Sequence, residues 1–315
     1  MSDNTKIEWT DATWNPVRAR DPKSGRVGWH CVKISPACTH CYAAEHNAKG
    51  RGGFGTKLPY AESSPAEVFL HERTLAKPLH WKRPRRIFVC SMTDLFGPWV
   101  DVAMLDEIYN VMAACPQHTF QVLTKRPDRM HRYHLNLAKR VAQIENNPVR
   151  WPLPNVWLGV TAENQETADE RIPWLLKTPA AVRFLSCEPL LGHVDLSAWL
   201  QAQGPAWRYS GDDDSSGRPG VDWVIAGGES GRGRGIRPMH PDWVRSLRDQ
   251  CQAVGVAFFH KQWGEFCHWS QATDEVAAQL GSHADGPIRV GKKQAGRLLD
   301  GIEWNQFPSP ALEAV

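Results

Sequence analysis

Short, nearly continuous apolar runs rich in β-branched and aromatic residues recur along the chain, separated by gaps wide enough for a helix. They are RIFVCS (86–91), FQVLTK (120–125), VWLGVT (156–161), VRFLSC (182–187), DWVIAG (222–227) and AFFHKQ (257–262). Runs of this kind, without polar alternation, are what parallel strands need when both faces are covered. Between them, apolar residues return at helical spacing. Val102, Leu105, Ile108, Tyr109 and Met112 mark a helix entered at Asp101 and stopped before Pro116. Val244, Leu247 and Cys251 mark another, begun at Pro241 and ended near Gly255. With an early strand over Ala12 to Val17, the pattern predicts about seven βα units. The expected fold is α/β: a complete or nearly complete (β/α) TIM-like barrel with loop insertions, favoured over an open doubly wound sheet.

The 315 residues suit one such barrel, which takes roughly 250 residues plus insertions. Residues 1–269 are expected to form it and 270–315 a C-terminal extension packed on it, partly irregular and ending in the apolar turn LLDGIEWNQFP. Two stretches break the rhythm: a basic, glycine-containing insertion from Arg18 to Gly28, and a polar loop from Gly204 to Gly220.

Composition adds little, since a net charge of +3 does not by itself point to nucleic acid. The 15 Trp, many beside Pro or Gly, can wall a cleft or cover a barrel end, and packing is the simpler reading. The start MSDNTKIEWTDATWNPV lacks a basic stretch followed by an apolar run, and no segment approaches about 18 apolar residues. A cytoplasmic protein with no membrane span is expected. Its eight cysteines should then be reduced, so that a cluster of them means metal binding or catalysis.

Such a cluster exists in HCVKISPACTHCYAAEHN, where Cys31 and Cys38 are separated by six residues and Cys38 and Cys41 by two. A C-x2-C pair clamps a metal centre from a tight turn, and the Pro36-bearing loop lets Cys31 return as a third thiolate. Three thiolates leave one iron of a four-iron cluster open to a small molecule. Zinc competes, because Cys3His sites are common and His30, His40 and His46 lie close by. Position after the first strand of a barrel favours the catalytic arrangement. Cys90, Cys115, Cys187, Cys251 and Cys267 are scattered and read as small core residues.

In a barrel, the C-terminal ends of the strands converge on one face. Here they carry Ser91, Thr93 and Asp94; Thr124, Lys125 and Arg126; Thr161, Glu163 and Asn164; Ser186 and Glu188; Glu229 and Ser230; Lys261 and Gln262. Each alone can be a cap or a solvated loop residue, but a barrel built only for stability needs no charge at nearly every strand exit. Together they predict a small-molecule site recognising amine, carboxylate and hydroxyl groups. The loop GGESGRGRGIRP adds close backbone approach and the guanidinium forks of Arg232, Arg234 and Arg237. WKRPRR (81–86) is basic beside an aromatic residue, as a solvated run or a nucleic-acid contact would be.

IEWTDATWNPV, the three-cysteine loop ending in CYA, VLTKRP, LSCEPL, GGESG, KQWG and LLDGIEWNQFP resemble a family of phage- and prophage-associated proteins of largely unknown function. That family is similar to the radical S-adenosylmethionine (SAM) superfamily. The resemblance implies a [4Fe-4S] cluster on Cys31, Cys38 and Cys41, S-adenosyl-L-methionine as cosubstrate, and reductive cleavage to a radical that abstracts hydrogen. Contacts to SAM are expected from Ser91, Lys125, Glu163, Asn164, Glu188 and Glu229. The superfamily usually spaces its cysteines C-x3-C-x2-C with an aromatic residue before the last, where this chain has a longer first gap and His40. Its GGE motif lies early in the barrel, whereas Gly227-Gly228-Glu229 lies late. The expected substrate is a nucleic acid or nucleotide, with a reductant protein as partner. The competing expectations are a zinc-stabilised nucleic-acid-binding protein without catalysis and an electron-transfer or sensor protein that carries the cluster without using SAM.

Overall fold

The computed structural model describes residues 5–50, 54–144, 150–200, 220–231, 233, 235–272, 276–277 and 286–308. The chain forms two compact units, Met1–Val160 with Thr178–Ala181, and Thr161–Lys177 with Val182–Val315.

The first unit contains β1 (Ala12–Trp14), β2 (Val17–Arg20), β3 (Val27–Gly28), β4 (Glu67–Leu70), β5 (Arg86–Val89), β6 (Thr119–Thr124) and β7 (Val156–Thr161). Its helices are α1 (Tyr42–Lys49), α2 (Glu72–Leu75), α3 (Val102–Ala113) and α4 (Pro127–Ala142). Strands β1, β5, β6 and β7 pair in that order and all run parallel, with Trp14 opposite Val89, Val89 opposite Val122 and Val122 opposite Leu158. Ile87, Val89, Phe120 and Val122 are fully buried, as strands covered on both faces require. Helix α3 begins where the sequence predicts, its Asp101 carboxylate accepting from the backbone N–H of Met104 at 2.8 Å.

The early strand is shorter than expected. It stops at Trp14 because Pro16 cannot donate to a ladder, and the chain turns there into a different sheet. The insertion from Arg18 to Gly28 is not a loop: β2 pairs antiparallel with both β3 and β4. This three-stranded sheet leads directly into the cysteine segment.

The second unit holds β8 (Val182–Cys187), β9 (Trp223–Gly227) and β10 (Ala257–Gln262), again parallel and in that order, with α5 (Gln165–Lys177) and α6 (Pro241–Val254). Pro241 opens α6 and Gly255, at φ 75°, ends it in the left-handed conformation, as expected. Beyond β10 come the hairpin-like pair β11 (Phe266–His268) and β12 (Pro287–Arg289), then the tight pair β13 (Leu298–Leu299) and β14 (Ile302–Glu303).

The fold is thus mixed α/β with seven parallel strands and helices between them, TIM-like in the order of its elements but not closed. Among the described residues β1 pairs only with β5. The free edge of β10 is met by the chain's own tail running antiparallel: His260 N–H donates to Trp304 O at 2.9 Å, and Gln306 N–H to Phe258 O at 3.1 Å. A complete barrel would need a further parallel strand at that edge; the LLDGIEWNQFP segment blocks it instead, which also shields an edge from foreign pairing. The polar stretch 204–219 lies outside the described residues.

Four of the tryptophans serve packing. Trp9, Trp14, Trp223 and Trp263 are almost fully buried. Three of them satisfy their indole N–H on backbone carbonyls, of Thr74, Gln306 and Leu298 respectively, at 2.8–2.9 Å. No described helix is long and apolar enough to cross a membrane.

Because the tail covers the β10 edge, removing residues 298–308 is expected to expose it and to drive self-association. Light scattering of the truncated and full-length chains at matched concentration checks this; an unchanged particle size would contradict it.

Candidate functional site

Gly28 ends β3 where no side chain fits, since a Cβ there would lie 2.5 Å from both Asn47 Oδ1 and Thr56 N. Asn47, fully buried on α1, is the reason for that close approach. Its carbonyl accepts from the N–H groups of Trp29 (3.0 Å) and Thr56 (3.1 Å), and its amide donates to Thr56 Oγ1 (2.8 Å) and Leu58 O (3.2 Å). The chain entering the cysteine segment is therefore pinned to the helix leaving it. Nothing in the sequence singles Asn47 out, because an asparagine in a polar helical stretch normally faces water.

Cys38 closes a short 3-10 turn (Pro36–Cys38) that takes up part of the long first gap. Cys41 is the residue immediately before α1. Cys31 and Cys41 pack against the cluster of Trp29, Ala43 and Tyr60, joined there by Met92. Cys31, Cys38 and Cys41 are half-buried and the other five cysteines are buried, in keeping with the core role expected for those five; all eight are free thiols.

The ends of β5 and β6 hold this loop. Cys90, at φ 56°, turns the chain out of β5. Asn15 then fixes the turn, bonding Ser91 Oγ at 3.1 Å and accepting from Met92 N–H at 3.0 Å. Tyr42 and Tyr60 donate their hydroxyls to the carbonyls of Ser91 and Met92. Asp94, nearly buried, accepts from Phe96 N–H (3.0 Å), Thr124 Oγ1 (2.7 Å), Lys125 N–H (3.0 Å) and Arg126 Nη1 (3.1 Å). Arg126 in turn donates to Val32 O at 3.3 Å and lies over the Trp99 ring. Asp94 and Arg126 belong to the strand-end rim read from the sequence, although neither was among the expected cofactor contacts.

The thiols differ in acidity. Burial, with the Asp94 carboxylate beside it, pushes Cys31 up to about 12. Burial also acts against ionisation of Cys38, but the Lys125 ammonium and backbone N–H bonds to its sulfur outweigh it and hold that thiol below its ordinary value. Among the described residues no three His, Cys, Asp or Glu side chains stand as a ready metal cage. The donor chemistry nonetheless fits a thiophilic group: three half-buried thiols on one loop, cations at hand, and N–H groups directed at sulfur.

The remaining expected contacts lie in the second unit. Glu163 is fully buried and ion-paired with Arg171 at 3.2 Å, while Arg171 also donates to Thr161 O at 2.9 Å. Asn164 caps α5, its carbonyl accepting from Thr167 N–H at 3.0 Å. Glu188 pairs with Lys261 at 3.0 Å and accepts from Ser186 Oγ at 3.2 Å. Gly227 is needed beside it, since a Cβ there would come 2.6 Å from Glu188 Oε1. Glu229 receives the backbone N–H of Arg237 at 2.9 Å and its Nε at 3.0 Å. Arg232 and Arg234 lie outside the described residues.

GGESG and KQWG, far apart in sequence, interlock. Gly228 N–H donates to Gln262 O at 2.9 Å and the Gln262 side chain returns to Gly228 O at 2.8 Å. A Cβ on Gly228 would sit 2.0 Å from Trp263 O, and one on Gly264, whose φ is 88°, 2.3 Å from Glu229 O. Both glycines are there because two backbones touch.

A family profile described as "Protein of unknown function (DUF5131)" matches residues 4–308. No curated protein and no solved structure matches the chain.

Two outcomes follow from these geometries. Arg171→Met leaves the buried Glu163 carboxylate without its guanidinium and is expected to lower stability by about 3–5 kcal/mol, read as a shifted urea midpoint. In the metal-free protein at about pH 8, iodoacetamide should label Cys38 faster than Cys31, because the thiolate is the reactive form, and Lys125→Met should slow Cys38. Peptide mapping by mass spectrometry reads the order, and equal rates at the two cysteines would contradict it.

Proposed function

The chain belongs to the DUF5131 family, and on that premise we propose that it is a radical SAM enzyme whose Cys31, Cys38 and Cys41 hold a [4Fe-4S] cluster. The observation that carries the reading is the segregation of the cysteines: the three at motif spacing are only half-buried and share one loop, while the other five are buried. A three-thiolate cluster, when bound, supplies a one-electron reductant and an open iron for the amine and carboxylate of S-adenosylmethionine.

The chain's own residues prepare that site. Lys125 favours the thiolate of Cys38, the form that binds a metal group. Asp94 and Arg126 hold the loop carbonyl of Val32, and Tyr42 and Tyr60 fix the turn after β5, so the ligands start from a constrained backbone. In the second unit, Glu188 with Lys261 and Glu229 with Arg237 set ion pairs at strand exits, where an amine or hydroxyl is recognised. The proposed substrate is a nucleic acid or nucleotide, and the electron comes from a reductant protein.

Anaerobic reconstitution should give a brown protein with about four irons per chain that releases 5′-deoxyadenosine from SAM under a strong reductant. Cys38→Ala should lose both iron and cleavage. A colourless protein holding one tight zinc would overturn the reading in favour of a structural metal. Iron-loaded protein that does not bind SAM would favour electron transfer or sensing.

A further inference from the structure

Arg18, on β2, is 5% exposed, and its Nη1 has no hydrogen-bond partner. Among the described residues no carboxylate faces it; the ionisable group acting on it is the Cys90 thiol. Burial pushes that thiol up to about 12, so it is neutral at physiological pH and offers no counter-charge. The guanidinium lies 4.6 Å from the Trp29 ring centre and 5.8 Å from that of Phe54. Trp29 is also buried, and its indole Nε1 likewise has no partner. Phe54, by contrast, is 54% exposed.

A buried cation without an anion is costly, and aromatic faces compensate only part of the lost hydration. An uncompensated guanidinium with an unsatisfied N–H, packed on an indole whose own N–H is unsatisfied, calls for an oxyanion. The exposed Phe54 ring, 5.8 Å from the guanidinium, offers a flat surface on which a base can stack. Trp29 also belongs to the cluster on which Cys31 and Cys41 pack, so this feature adjoins the proposed cluster loop.

We propose that Arg18 and Trp29 form an oxyanion site that takes the phosphate of a nucleotide, with Phe54 stacking on its base. As a substrate site it rests on the enzyme reading above. As a binding site it needs only the first unit and no metal.

The test uses the full-length, metal-free protein at constant ionic strength, with inorganic phosphate, a nucleoside 5′-monophosphate and the unphosphorylated nucleoside as probes. Calorimetry should show the monophosphate binding best, phosphate more weakly and the nucleoside hardly at all. Arg18→Gln should weaken the monophosphate roughly ten- to hundredfold. Phe54→Ala should remove the advantage of the monophosphate over inorganic phosphate. Without ligand, Arg18→Gln should melt no lower than wild type, since it removes an uncompensated charge. Absence of phosphate binding by wild type, retention of it by Arg18→Gln, or a large loss of unliganded stability in that variant would overturn the proposal. Phosphate binding with no gain from the base would overturn the nucleotide assignment. These outcomes are independent of iron content and SAM cleavage, so failure of this site and failure of the radical reading are separately visible.

Discussion

The carboxylate of Asp94 is the constraint on which the cysteine loop depends. It sits just past β5, accepts from the hydroxyl and main chain at the end of β6, and holds Arg126, which reaches back to the Val32 carbonyl. One nearly buried anion thereby joins two neighbouring strand exits to the segment between Cys31 and Cys38. Its charge is matched by Arg126 and its lone pairs are filled, the condition under which a buried ion rigidifies its surroundings. The same charge disfavours ionisation of Cys31, while Lys125 on the adjoining strand exit favours it at Cys38. The loop is therefore both fixed in place and electrically uneven.

In the second unit the comparable role belongs to glycine. Gly228 and Gly264 let two main chains meet closer than any side chain allows, and the bonds they make hold Glu229 and its Arg237 partner at the exit of β9. Close backbone contact is stiff because neither side has rotamers through which to yield. Glu163 and Arg171 provide a buried ionic counterpart at the start of α5. Ion pairs at strand exits thus divide into a fully buried one, Glu163 with Arg171, and partly exposed ones, Glu188 with Lys261 and Glu229 with Arg237.

Much of the architecture was legible. All seven parallel strands lie where apolar runs mark them, and the helices begin at Asp101 and Pro241 as their capping residues indicate. Periodicity and caps are local properties, so they survive folding unaltered. The insertion after Pro16 was not legible as a sheet, because its strands are two to four residues long and its partner, β4, comes some fifty residues later. Nor was the antiparallel cover on β10, since a segment of three residues has no period to read.

By itself, then, the chain's pattern determined the parallel strands, their order along the sequence, the starts of the helices at Asp101 and Pro241 and the spacing of the three cysteines. Only the tertiary structure decided which polar residues at the strand exits are internally paired, which cysteines are only half-buried, that Asn47 and Asp94 anchor the loop, and that Arg18 is buried without a counter-ion. The division has a physical cause. Strand and helix signals come from neighbours in sequence, whereas burial and charge pairing depend on groups brought together from distant positions, and no single segment encodes its partner.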